Sequence, residues 1–106
     1  MATEGKDVIL GGWGEETEAT PEVQEICDKV KEQVQTTTGG TFTMYKALKY
    51  RSQIVAGTNY CVKIQITSAG DCDHVTIFQA LPCNGGDLTV TDVQEKKTIS
   101  DPIQPW

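Results

Sequence analysis

The sequence predicts an α+β fold, with one amphipathic helix lying on the apolar face of an antiparallel sheet. Apolar residues recur at helical spacing in a single segment, between residues 20 and 40. Most of the chain beyond residue 40 alternates with period two, in four runs separated by turn-forming clusters. The runs succeed one another without the helical crossovers that a parallel sheet needs. At 106 residues the chain is long enough for one domain with one core.

Residues 1–19 are acidic, rich in glycine and aperiodic, and read as a flexible arm. Thr20-Pro21-Glu22 is a helix start: a hydroxyl cap, proline at the first helical position and an acid in the first turn. Val23, Ile26, Cys27, Val30 and Val34 then form one stripe, and Thr36 to Gly40 ends the helix after about four turns. Thr41 to Ile54 is a long first strand whose phase slips near Ala47-Leu48, as a bulge would make it. In Asn59 to Thr67, residues Tyr60, Val62, Ile64 and Ile66 face the core and Cys61, Lys63, Gln65 and Thr67 face solvent. His74 to Leu81 and Leu88 to about Lys96 are the remaining strands, joined by a turn over Pro82–Asp87. The tail from Ser100, with two prolines, is irregular.

In such a meander, successive turns alternate between the two ends of the sheet. The turn at Val55–Thr58 and the turn at Pro82–Asp87 therefore share an end, and the turn at Ser68–Asp73 lies at the other. The shared end is apolar: Ile54-Val55-Ala56-Gly57 at one tip and Ala80-Leu81-Pro82 at the other. Ser52 to Val62 contains no charge, although turns ordinarily face water. An exposed apolar cluster of this kind marks a binding surface unless the residues tuck inward. Gly57 supplies a positive φ for a tight turn and lets another backbone come close.

The net charge of −6 argues against a nucleic-acid partner, which would need basic patches. No run is long enough to span a membrane, so no membrane partner is expected. The first residues hold no apolar run longer than Val8-Ile9-Leu10, so no secretory signal is expected. A reducing, cytoplasmic setting is implied, in which Cys27, Cys61, Cys72 and Cys83 stay thiols. Cys61, read as solvent-facing, could then link two chains into a minor dimer on oxidation. Cys72-Asp73-His74 pairs a nucleophile with a base only in sequence, and His74 reads as a surface residue, so catalysis is not expected. A metal site from Cys72, His74 and Cys83 would need turns at opposite ends of the sheet to converge, and no metal or other cofactor is expected. Gly11-Gly12-Trp13-Gly14 lacks the lysine and following helix of a phosphate loop.

Gln53-Ile54-Val55-Ala56-Gly57, continued by Thr58-Asn59-Tyr60, resembles the Gln-x-Val-x-Gly signature of the cystatins in its stefin form. Ala19 to Ile26 with Asp28 to Lys31 resembles the stefin helix, and Val75 to Pro82 the stefin third strand and second hairpin. Gly11-Gly12 stands where stefins keep their N-terminal glycine. The resemblance covers residues 9 to about 97 and implies a cystatin-like fold, with a short strand before the helix bringing the sheet to five. It also implies a single domain over residues 9–106, preceded by an extension over 1–8.

By that resemblance the chain is a reversible, competitive inhibitor of papain-like cysteine proteases, papain and lysosomal cathepsins among them. It would fill the protease cleft with a three-part wedge and present no scissile bond. Ile9 and Leu10 would lie in the non-primed subsites, with Gly11 and Gly12 permitting close approach. Gln53, Ile54, Val55, Ala56 and Gly57 would sit over the primed side, and Leu81-Pro82 would make the third contact. The protein would act mainly as a monomer, with the first hairpin as a hinge for domain swapping. The alternative is a binding module or engineered scaffold on the same fold without inhibitory activity. The intact Gln53–Gly57 signature and Gly11 argue against it.

Overall fold

The computed structural model describes residues 12–104. The described chain forms a five-stranded antiparallel sheet in sequential order with a helical layer on one face. Its elements are β1 Thr17–Glu18, α1 Pro21–Lys29, α2 Lys31–Thr38, β2 Lys46–Val55, β3 Gly57–Gln65, β4 Asp71–Gln79 and β5 Leu88–Thr98.

The helix begins as its sequence dictates. Thr20 is extended, its Oγ1 accepts from the Val23 amide at 3.2 Å, and Pro21 opens the first turn. It ends on Gly39 in the left-handed region, φ 69°, whose amide donates to the Gln35 carbonyl. The expected single helix is interrupted once. Val30 leaves helical geometry at φ −105°, ψ 7°, and its amide turns back to Cys27 and Asp28. Because α2 restarts at once, the apolar stripe survives the break. Val23, Cys27, Val30 and Val34 are all buried against Val62, Ile64, Val75 and Ile77 of the sheet. Gln24 fastens α1 to β2: its Oε1 accepts from the Ala47 amide at 2.8 Å, and its Nε2 donates to the Tyr45 carbonyl at 3.3 Å.

The bulge falls where the phase slip places it, between Ala47 paired with Ile64 and Lys49 paired with Lys63. Residues 12–19 are not a free arm. Thr17 and Glu18 pair with Tyr50 and Lys49 as β1, Trp13 bridges Gln53, and the Gly14 amide donates to the Ser52 carbonyl at 2.8 Å. The extension 1–8 and residues Pro105-Trp106 lie outside the described residues.

The larger departure concerns the second face of the sheet. Strand alternation assigns it to solvent, but residues 99–104 fold back across it and Ile103 is fully buried there. Cys61, Lys63, Cys72, His74 and Thr76 beneath the tail are buried as well. Lys63 Nζ donates to the Ile99 carbonyl, and Gln94 Nε2 donates to that of Gln104. β3 and β4 are therefore covered on both sides, by an apolar helix layer on one and a polar layer under the tail on the other.

Two expectations are overturned by this. His74 is not a surface histidine; both its ring nitrogens are buried with no hydrogen-bond partner among the described residues. Cys61 is not solvent-facing, its sulfur sits 3.5 Å from Thr76 Oγ1, and burial pushes its thiol pKa up. A disulfide needs an accessible thiolate, so this burial removes the exposure on which the expected Cys61-linked dimer rests. The exposed thiol is Cys83, in the second hairpin.

Candidate functional site

The first hairpin is as tight as a hairpin can be. Val55 pairs with Gly57 across Ala56 alone. Gly57 has φ +124°, a conformation that side chains rarely adopt. A Cβ on Gly57 would also stand 2.6 Å from the Gln79 carbonyl oxygen and 2.7 Å from the Phe78 ring. The backbone that comes close at Gly57 is thus the chain's own β4, which buttresses the tip from behind. Gln53, one of the two residues leading into the tip, is held by the Asn59 side chain, whose Nδ2 donates to its Oε1 at 2.8 Å.

The second hairpin ends its ladder at Gln79. The Ala80 amide donates to the Asp87 carbonyl at 2.9 Å and the Gly86 amide to the Leu81 carbonyl at 3.0 Å. Pro82 then opens a single turn of 3-10 helix that closes at Gly85, φ 99°. Leu81 ends extended and projects outward. It falls past the end of the strand that the sequence extends through it.

Register places both tips at one end of the sheet. Ile54 pairs with Thr58, Thr58 with Gln79 and Gln79 with Leu88, one continuous row just below the tips. The Thr67–Gly70 turn closes the opposite end. The apolar residues do not tuck inward: Ile54, Val55 and Leu81 remain 39%, 40% and 39% exposed. Burying what remains would stabilise a complex by roughly 1 kcal/mol for each of these side chains. A groove of about 340 Å³ separates the tips, lined by Gly57, Thr58, Gln79, Leu81, Pro82 and Gly86. No side chain from Gln53 to Val62 or from Gln79 to Gly86 is charged, so docking of the two tips themselves desolvates no ion; the nearest carboxylate, Asp87, lies beside Gly85 at the base of the second hairpin.

The N-terminal segment joins this end. Trp13 bridges Gln53, so Gly12 and Trp13 lie beside the first hairpin just short of its tip. The structure therefore brings together Gly12, Gln53, Ile54, Val55, Ala56, Gly57, Leu81 and Pro82. Ile9, Leu10 and Gly11 lie outside the described residues. Trp13 and Phe78 also belong to this end. In the sequence Trp13 shows only as an unusual residue beside the glycines. Phe78 reads as one more strand residue until its contact with Gly57 is known.

The Cys72-Asp73-His74 run does not assemble. Cys72 and His74 point under the tail, whereas Asp73 pairs with Ile64 on the helix face. Asp73 is buried with its Oδ2 unpartnered among the described residues. Burial, reinforced by Glu95, raises its pKa to about 6. Burial, followed by Lys63 and Lys97, lowers that of His74 to about 4. Cys83 sits at the tips and Cys72 pairs with Gln65 and Lys97 at the far end, so the cysteines flank opposite ends of the sheet.

Comparison with known proteins bears on what such an end is for. The family description "Cystatin domain" matches residues 11–100. Leukocyte cysteine proteinase inhibitor 1 of Sus scrofa is 39% identical over 100 residues, covering 94% of this chain and 96% of its own length. Cystatin-A of Homo sapiens is 42% identical over 98 residues, covering 91% of this chain and 97% of its own. Stefin-C of Bos taurus is 37% identical over 94 residues, covering 89% and 92%.

Proposed function

The chain belongs to the cystatin family, and from that premise we propose that it is a reversible, competitive inhibitor of papain-like cysteine proteases, working through the two hairpin tips and the N-terminal segment. The observation that carries the reading is the uncharged Gln53–Gly57 tip, braced by β4 and held beside Gly12 and Trp13. A brace of that kind keeps the tip in one shape before docking, so little ordering entropy opposes binding. Ile54, Val55 and Leu81 supply the apolar contact, and Gln53 the polar one. Ile9 and Leu10 occupy the non-primed subsites, with Gly11 and Gly12 letting the segment pass close to the cleft wall.

The name of the porcine relative supports the protease class, and the four free thiols support a reducing, cytoplasmic setting. The inhibitor acts mainly as a monomer, without cofactor, and is not an enzyme. Titration of active-site-quantified papain tests the reading. Stoichiometric loss of peptidase activity is expected, with competitive kinetics against a small peptide substrate. Full papain activity at micromolar inhibitor would sink it. Repeating the titration with cathepsins identifies the preferred target.

A further inference from the structure

The tips account for one end of the molecule and leave the strap of residues 99–104 without a role. That strap meets the N-terminal segment through the side chains of Arg51 and Glu16. Arg51, on β2, donates from Nε to the Gly14 carbonyl at 2.7 Å and from Nη1 to the Ile103 carbonyl at 3.0 Å. The Ile103 amide donates in turn to Glu16 Oε1 at 3.0 Å, so the strap is tied back to the same segment two residues further on. Gly14 is thereby fixed through both of its peptide groups. Its amide is held by the Ser52 carbonyl on the edge of β2, and its carbonyl by the guanidinium. Ile103, the other anchor, is fully buried and cannot drift.

We propose that Arg51 is a positioning residue for the N-terminal protease contact, clamping the base of that segment, Gly12 to Gly14, between β2 and the C-terminal strap. The clamp fixes Gly12 to Gly14 against β2 at the hairpin end. A guanidinium suits the task because its planar fork reaches two carbonyls at once, whereas the ammonium of lysine is a point charge on a flexible stem. Bonds from a charged donor are stronger than those between neutral groups. A segment already placed loses less freedom on docking, and the gain appears as slower release from the protease.

The proposal rests on the inhibitor reading for its consequence but not for its geometry, and the experiment separates the two. Amide hydrogen exchange read by NMR needs no protease. Arg51→Ala should abolish the protection of the Gly14 amide while leaving β3 and β4 protected. Unchanged protection at Gly14 overturns the clamp, whatever the protein inhibits. Loss of protection in a chain that never inhibits papain retains the clamp and removes the inhibitor reading.

With papain, Arg51→Ala should speed dissociation about tenfold, the factor that corresponds to 1.4 kcal/mol, with association unchanged. Arg51→Lys should fall between the two. Deleting residues 1–11 should cost a smaller factor in Arg51→Ala than in the parent, because the segment is already loose there. Equal factors in both backgrounds overturn the positioning role. Should Arg51→Ala fail to fold, Glu16→Ala removes the acceptor of the Ile103 amide and carries the same measurements. Glu16→Gln, which keeps an acceptor oxygen, should restore protection at Gly14.

Discussion

Replacing Asp73 by Asn should tilt the pH dependence of stability one way, and replacing His74 by Gln should tilt it the other. The two residues are neighbours in β4 on opposite faces, and both are buried. Around His74 stand Lys63 from β3, Lys97 from β5, Asp101 from the strap and Glu16 from the N-terminal segment; burial and the two lysines hold its pKa at about 4 against an ordinary 6.5. Between those values the unfolded chain binds a proton that the folded chain does not. Stability from His74 therefore rises with pH, by up to about 1.4 kcal/mol per unit. Asp73 behaves oppositely, its carboxyl held at about 6 against an ordinary 3.8 by burial and then by Glu95. Between those values the folded chain keeps a proton that the unfolded chain has lost, so stability falls as pH rises.

The two windows overlap from about pH 4 to 6, where the slopes cancel and this pair leaves stability nearly flat. Asp73→Asn exposes the His74 slope, a loss of about 2–3 kcal/mol on acidifying across those two units. His74→Gln exposes the Asp73 slope, a gain of similar size over the same range. Urea unfolding followed by far-UV circular dichroism, in half-unit steps at constant m-value, measures both. Parallel stability curves for the parent and both variants would refute the assignment of opposed protons to the two faces.

Gly57→Ala should lower stability by about 2–4 kcal/mol, since the added methyl meets both a left-handed φ and the Gln79 carbonyl; a thermal melt shows it. The same variant should weaken papain inhibition, because the tip must move off β4. A thiol reagent should modify Cys83 quickly in the native protein and Cys27, Cys61 and Cys72 only on unfolding; fast reaction at Cys61 would contradict its burial. Cys27 should be the most inert, its pKa pushed up to about 12 by burial and then by Asp28. Ile103→Ala should cost about 3 kcal/mol in urea unfolding, as a fully buried side chain would, and a change under 1 kcal/mol would show that the strap is loosely held.

Much of the fold is legible in the sequence because it is set by local rules. Thr20-Pro21 starts the helix and Gly39 ends it through backbone constraints that operate within a few residues. The slip at Ala47-Leu48 and the placing of both tips at one end follow from a period of two and from antiparallel counting. What the sequence hides is long-range. Period-two alternation reports that Cys61 and Lys63 share a face opposite Val62 and Ile64, but not what covers that face. The cover is a single isoleucine between prolines, too short to show periodicity, and its contacts with Arg51 and Glu16 join residues 52 and 87 positions apart in the chain. The break at Val30 is likewise unmarked by glycine or proline. At the candidate site, sequence identifies the residues that project, and misses Phe78 and Arg51, which act from behind.

The strap over the polar layer also bears on how the protein can be made. Among the described residues, 99–104 come after every strand, so the face they cover can close only once the strands beneath it are in place. Until Ile103 docks, Cys61, Lys63, Cys72, His74 and Thr76 meet water. An apolar layer waiting there would be an adhesive surface on every nascent copy. Lysine, histidine and threonine are hydrated meanwhile, and a few backbone carbonyls and one isoleucine replace that water at the end. The chemistry of the two faces thus suits the order of assembly: the helix side is apolar and packs among the strands themselves, and the side covered after them can wait wet.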